Sequence, residues 1–190
     1  MKVKLFILAF YSILQTLFAN DVIVKDFDGD NKLDKVYINH TSNTIIYLLS
    51  SCDYLEKQSL SFSKLSKDTK LIETKNGFKL ENNIDNILYS SYFKFNKEHK
   101  NLELVGINRK IKSLNNEFEN GESSYKFSTQ ELVAKWNYIS KTTKEMVSMP
   151  TLKTKLILNK VHLDAFNDEF LIKFAEKISS IYKTEISKLD

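Results

Sequence analysis

The sequence has few of the residues that cross-link or interrupt a chain. Its 190 residues include one cysteine, Cys52, one proline, Pro150, and four glycines. A single cysteine excludes an internal disulfide, and Cys52 lies too far from the N-terminus to be the lipid-modified residue of a lipoprotein. Because no linker rich in proline, glycine or serine divides the chain, its length predicts one folded domain.

Arginine is also scarce. Arg109 is the only arginine among 28 basic residues, and 24 acidic residues leave a formal net charge of +4. The planar guanidinium of arginine binds phosphate through two parallel hydrogen bonds, and lysine cannot reproduce that geometry. A small positive excess made almost wholly of lysine therefore predicts that the protein does not bind nucleic acid.

The longest hydrophobic run is at the start of the chain. Residues 5–14 are apolar apart from Ser12, Lys2 and Lys4 precede them, and Ala19 is the small residue that a signal peptidase requires. The pattern predicts a signal peptide over residues 1–19 and a mature domain over residues 20–190, located in the periplasm or secreted. The run is shorter than the roughly 20 residues that span a bilayer, so we expect no stable membrane anchor. An uncleaved anchor and a buried N-terminal helix are the alternatives.

The middle of the chain has β-strand patterning. Residues 92–95 and 102–105 alternate apolar and polar side chains, and similar short runs recur from residue 33 to residue 158. Their spacing predicts a mainly β fold, an antiparallel meander that forms a sandwich, a small barrel or a propeller-like sheet.

The C-terminus has a helical pattern instead. Apolar residues recur at intervals of three and four, which predicts an amphipathic helix over about residues 163–187. Packing of this helix on the sheet is favoured over a membrane-surface or partner-binding role, because Asp168, Glu169 and Glu176 interrupt any basic face. The stripe consists of Leu163, Phe166, Phe170, Phe174, Ile178 and Ile181.

An aspartate-rich segment near the N-terminus indicates a metal site. With Asp26 as position 1, carboxylates occupy positions 1, 3, 5 and 9, and Lys32 at position 7 can add its backbone carbonyl. A calcium loop uses this spacing, because a chain that curls around a cation directs every second side chain inward. The predicted calcium ligands are Asp26, Asp28, Asp30, Lys32 and Asp34.

Neighbouring residues refine this prediction. Asn31 stands at position 6, where the backbone turns sharply, and asparagine tolerates the positive φ required there. Leu33 is expected to anchor the loop to the core. Tyr37 replaces the glutamate that completes an EF-hand loop, and a strand follows, so a helix–loop–helix sensor is excluded. The alternative is an acidic turn without metal, although four close carboxylates repel one another without a cation.

Motifs for catalysis are absent from the sequence. It contains no Gly-x-Ser-x-Gly, no His-Glu-x-x-His and no glycine-rich phosphate loop. The three histidines, His40, His99 and His162, are isolated among polar residues. We therefore predict no catalytic residues and a protein that is not an enzyme.

Two family resemblances follow from these motifs. The Asp26–Asp34 segment followed by a strand resembles the loop of FG-GAP/VCBS repeats, which form extracellular propeller blades, but it occurs once. Together with the signal peptide and residues 92–95 and 102–109, it resembles small periplasmic calcium-binding immunity proteins of bacterial type IV secretion systems. That resemblance implies inhibition of a peptidoglycan hydrolase, a lysozyme-like effector, by occlusion of its active-site cleft.

Residues 119–126 suggest a surface for such a target. They form a polar stretch around Gly121, and inhibitors of basic lysozymes present polar loops with acidic groups. Glu119, Glu122 and Tyr125 are the predicted target contacts. The alternative is an ordinary hairpin with Tyr125 in the core. A non-inhibitory secreted module for binding or adhesion, stabilised by calcium, is the alternative function.

Overall fold

A computed structural model describes residues 21–63, 65–111 and 120–189. Strands make up 47% of the described residues and form antiparallel sheets, which confirms the prediction of a mainly β fold. The sheets of the described ranges do not close into a barrel. The predicted signal peptide and Glu119 lie outside the described residues.

Two sheets contain all the strands of the described ranges. The small sheet has the order β1-β2-β3-β4, and the large sheet has the order β11-β10-β9-β8-β7-β6-β5, with β12 also paired to β10. Neighbours in sequence are neighbours in space through β5–β10, so the predicted meander is confirmed. The strands are β1 Val22–Lys25, β2 Asp34–Asn39, β3 Thr44–Leu48, β4 Lys57–Gln58, β5 Lys70–Thr74, β6 Gly77–Ile84, β7 Ile87–Asn96, β8 Asn101–Ile111, β9 Asn120–Lys126, β10 Glu131–Ile139, β11 Met146–Ser148 and β12 Leu152–Lys155.

Strand β8 has a different neighbour in each half along one of its two edges. Along the first edge, β7 pairs with the whole strand, with a bulge at Val105. Along the second edge, β9 pairs only with the second half of β8, from Gly106. In the first half, the Leu104 N–H donates a hydrogen bond to the Val161 carbonyl at 2.8 Å. The segment that precedes the C-terminal helix thus completes the hydrogen bonding of a central strand.

Aromatic rings join the two sheets. Phe78 of β6 stacks on Phe93 of β7 with ring centroids 5.1 Å apart, and Phe93 meets Phe166 edge-on at 5.1 Å. From the aspartate-rich segment, Phe27 packs edge-on against Phe78 at 6.0 Å. The loop that carries the predicted metal ligands is therefore anchored in the core by Phe27.

The C-terminal helix α1 spans Asp168–Ile186 and packs on the large sheet. The Tyr182 hydroxyl donates to the Asn137 carbonyl of β10 at 2.8 Å, and the ring of Tyr182 meets Trp136 at 5.3 Å. The prediction of a packed helix is confirmed, but its predicted start at Leu163 is wrong. Leu163–Ala165 form a 3-10 turn, and Asn167 caps the helix by accepting a hydrogen bond from the Phe170 N–H. No helix of the described ranges is both long enough and apolar enough to span a membrane.

Candidate metal site

The aspartate-rich loop connects β1 to β2 in the small sheet. It begins at Asp26 and ends at Asp34, the first residue of β2. The chain turns at two residues that adopt positive backbone φ angles, Gly29 with φ of 84° and Asn31 with φ of 66°. The prediction that asparagine can form the turn at position 6 is confirmed.

Three carboxylates converge inside this loop. One oxygen from each of Asp26, Asp28 and Asp34 lies within 4.8 Å of the others. Asp34 is fully buried and Asp28 is 9% exposed. No basic side chain of the described residues forms an ion pair with any of the three. The cluster therefore concentrates negative charge without a cationic partner from the described part of the protein.

Backbone N–H groups orient two of these carboxylates. Asp34 accepts hydrogen bonds from the Phe27 N–H and the Ser50 N–H, both at 2.7 Å. Asp26 accepts from the Gly29 N–H at 2.6 Å and the Asn31 N–H at 3.0 Å. Each carboxylate oxygen has two lone pairs, so one hydrogen bond leaves capacity for a metal ion.

Asp28 is held in its charged form by similar bonds. Its carboxylate accepts from the Asp30 N–H at 3.2 Å, the Ser51 N–H at 3.3 Å and the Ser50 hydroxyl at 3.5 Å. Burial raises the pKa of the Asp28 carboxyl, but hydrogen bonds from Ser51, Asp30 and Ser50 outweigh it, and the pKa falls below its ordinary value. Asp28 is therefore a carboxylate at neutral pH, the form that binds a cation.

Asp30 and Lys32 are placed differently from the other predicted ligands. Asp30 does not join the three-carboxylate cluster of Asp26, Asp28 and Asp34. Its carboxylate accepts a hydrogen bond from the Ser50 hydroxyl at 2.8 Å and another from the Lys32 N–H at 2.8 Å. The structure thus brings together three of the four predicted carboxylates, and the Lys32 carbonyl as a ligand stays a prediction.

Ser50 and Ser51 belong to the site but were not identified from the sequence. They lie in a 3-10 turn, Ser50–Cys52, directly after β3. Ser50 donates to Asp28, Asp30 and Asp34 through its N–H and hydroxyl groups. The Lys35–Leu48 pairing of β2 and β3 brings this turn next to the loop. No local sequence pattern predicted this contact, because it depends on how two strands pair.

Leu33 does not anchor the loop to the core, contrary to the prediction. Its side chain is 65% exposed, while Phe27 supplies the anchor instead. Tyr54 and Leu55, which follow the 3-10 turn at the same end of the small sheet, are 47% and 68% exposed. We call Leu33, Tyr54 and Leu55 the loop-end apolar residues.

The donor set suits a hard divalent cation. The three converging ligand atoms are carboxylate oxygens, and no sulfur or imidazole is among them. Calcium and magnesium prefer oxygen ligands, whereas zinc and copper prefer nitrogen and sulfur. The cluster could therefore hold a metal ion, and its geometry alone does not select calcium.

The predicted target contacts do not form one surface. Tyr125 is 1% exposed, and its hydroxyl donates to the Leu156 carbonyl at 2.8 Å, so it is a core residue and cannot contact a partner. The reason is that residues 120–126 form strand β9, in which Tyr125 turns inward opposite Ile107. Glu122 is exposed but lies 3.6 Å from the Lys135 ammonium. Glu119 lies outside the described residues.

Comparison with known proteins identifies no relative. No family model, no curated protein and no solved structure matches this chain. The resemblances drawn from its motifs therefore stay predictions.

Proposed function

We propose that this chain is an exported calcium-binding protein that acts by binding another protein. The observation that carries the proposal is the convergence of Asp26, Asp28 and Asp34 within 4.8 Å without a basic partner among the described residues. Calcium concentrations outside the cytosol are high enough to fill sites with dissociation constants of about 0.1–1 mM. A modest site would therefore be occupied there.

Bound calcium would stiffen one end of the small sheet. Asp34 links the loop to the Ser50 turn, and Phe27 links it to the core. An ion shared by the cluster would fix the positions of both segments at once. The loop-end apolar residues lie on these same two segments, and exposed apolar side chains at one end of a fold are typical of protein-binding surfaces.

We propose a peptidoglycan hydrolase of the lysozyme type as the target. This part rests on the resemblance to periplasmic immunity proteins, in which the inhibitor occludes the hydrolase cleft. The loop-end apolar residues replace Tyr125 as the proposed centre of the contact, because Tyr125 is buried.

Calorimetric titration with calcium tests the metal site. We expect one calcium ion to bind the wild type and the Asp68→Asn variant, whose exposed carboxylate lies far from the loop in sequence. Asp28→Asn removes one carboxylate of the cluster and should abolish most of the heat. Equal heats for wild type and Asp28→Asn would contradict the site.

Inhibition of peptidoglycan hydrolysis tests the target. The protein is added in equimolar amounts to a panel of lysozyme-like hydrolases, including any encoded beside its gene. Leu33→Ser should weaken inhibition about tenfold or more, since burial of a leucine contributes about 1.5–3 kcal/mol. Ile157→Ser is the matched control, because Ile157 is 75% exposed and belongs to neither segment. Full hydrolase activity throughout the panel would refute inhibition while leaving the calcium site intact.

A further inference from the structure

One face of the large sheet is not covered by any other element of the described residues. On this face, every second side chain of each strand points away from the core. Because paired residues lie side by side on neighbouring strands, these side chains form three rows that run across β5–β10 and β12. We call this surface the open face. Its charged members are Lys70, Lys79, Lys110, Lys126, Lys135, Lys153, Lys155, Glu81, Glu122 and Glu131.

The open face is strongly basic for this protein. Its seven lysines and three glutamates leave an excess of four positive charges. This excess equals the formal net charge of +4 of the whole chain. Two lysines are neutralised locally, Lys79 by Glu81 at 2.7 Å and Lys135 by Glu122 at 3.6 Å. Lys110 and Lys126 are exposed and form no ion pair with an acid of the described residues. Positive charge is therefore available to an anionic partner.

A polar trough runs across the middle of this face. Ser90, Asn108 and Ser124 are paired across three adjacent strands, and the Asn108 amide lies 3.3 Å from the Tyr92 hydroxyl. A cavity of about 400 Å³ opens there, bordered by Lys110. Its size is that of a small-molecule site. Its lining combines hydroxyl and amide groups with the ammonium groups of Lys110 and Lys135, the Glu122 carboxylate and the apolar side chains of Leu88 and Val133.

We propose that the open face binds an acidic polysaccharide, a linear sugar chain that carries carboxylate groups. The Asn108 amide and the Ser124 hydroxyl match the donors and acceptors of sugar hydroxyls. The Ser90 hydroxyl already donates to the Glu81 carboxylate at 3.3 Å. The lysines on either side attract carboxylates, and such contacts between exposed groups weaken as salt concentration rises. This binding uses residues other than those of the calcium site and of the proposed target contact, which lie at one end of the small sheet.

Other anionic partners fit this surface less well. Nucleic acids are bound through arginine forks and stacked aromatic rings, but Arg109 turns toward the other face and Tyr92 is the only aromatic residue in the three rows. A membrane surface is bound through exposed apolar side chains together with basic ones. None of the exposed large apolar residues of the described ranges belongs to the three rows, and Ile139 lies farther along the same face of β10.

Binding to defined polymers tests this proposal. Thermophoresis with labelled protein at fixed calcium is carried out with hyaluronate and polysialate, both carboxylated, and with neutral dextran. We expect saturable binding to at least one carboxylated chain, weakened by added salt, and none to dextran. Lys110→Gln combined with Lys126→Gln should weaken that binding about tenfold.

Controls separate this surface from general attraction to polyanions. Lys67→Gln combined with Lys177→Gln removes the same charge from exposed positions off the open face, and should leave the affinity within about twofold. Asn108→Leu changes no charge and should still weaken binding severalfold. Failure to bind both carboxylated chains, or equal binding to single-stranded DNA or to anionic phospholipid vesicles, would overturn the proposal.

Discussion

Removal of divalent cations is expected to lower the melting temperature of this protein. In the cluster of Asp26, Asp28 and Asp34, ligand oxygens lie within 4.8 Å of one another. At that separation two unit charges repel by about 1 kcal/mol in water and by about 3.5 kcal/mol at an effective dielectric constant of 20. The burial of Asp34 favours the higher value. A bound cation would offset this repulsion, and a chelator would restore it.

The size of the effect follows from mass action. Calcium at about one hundred times its dissociation constant stabilises the folded state by about 2.7 kcal/mol. For a domain of about 150–250 residues, each kcal/mol shifts the melting temperature by about 2–4 °C. The expected difference between calcium and EDTA is therefore about 5–11 °C, measured by circular dichroism.

Two variants make this measurement specific. Asp28→Asn should melt at nearly the same temperature in calcium and in EDTA, whereas Asp68→Asn should retain the full difference. Magnesium should shift the wild type less than calcium, because it requires near-ideal octahedral geometry and gives up water reluctantly. Superimposable melting curves of the wild type in calcium and EDTA would refute the reasoning.

Three further predictions concern the fold. Glu103→Gln should lower the free energy of unfolding by about 1–2 kcal/mol at neutral pH. Burial raises the pKa of Glu103, but hydrogen bonds from Asn96 and Lys160 outweigh it and hold the pKa below its ordinary value. In denaturant titrations, the difference from wild type should therefore begin to shrink as the pH falls below the ordinary glutamate pKa of about 4.3, and it should be lost below the lowered pKa. A difference that persists at low pH would contradict the assignment. Gly121→Ala should lower the free energy of unfolding by about 2–4 kcal/mol, because φ of Gly121 is 132° and a Cβ there would lie 2.2 Å from the Lys135 carbonyl oxygen. A urea unfolding curve identical to that of the wild type would refute this prediction. Leu171 is fully buried on the inner face of α1, so Leu171→Ala should lower the free energy of unfolding by about 2–5 kcal/mol. The number of calcium ions bound per chain should stay the same. A changed number would contradict the separation of the helix from the metal site.

Local patterns predicted the parts of this structure that depend on local geometry. The alternate spacing of the aspartates predicted the convergence of Asp26, Asp28 and Asp34, because a tight loop directs alternate side chains inward. Spacing alone was not enough, since Asp30 has the same spacing and instead accepts a hydrogen bond from the Ser50 hydroxyl. Alternating apolar residues likewise identified the strands around residues 92–95 and 102–105. The start of α1 also had a local signal, since Asn167 is a favoured N-cap and Asp168 and Glu169 suit a first turn.

Contacts between distant segments could not be predicted in this way. Residues 120–124 are polar and resemble a loop in sequence, yet β9 is a strand because β8 and β10 bond to both of its edges. The same strand buries Ser123 and Tyr125 and exposes Glu122 and Lys126. Strand formation here is decided by neighbouring strands rather than by intrinsic preference.

The partner change along β8 has a consequence for the order in which the chain can fold. Residues 101–104 lie near the middle of the sequence and pair with β7 along one edge. Along the other edge, the Leu104 N–H donates to the carbonyl of Val161, which comes much later in the chain. A nascent chain that ends before Val161 therefore has an unsatisfied edge along the first half of β8. Such edges invite pairing with other chains, so truncated products are expected to aggregate, and productive folding waits for the last part of the polypeptide to emerge.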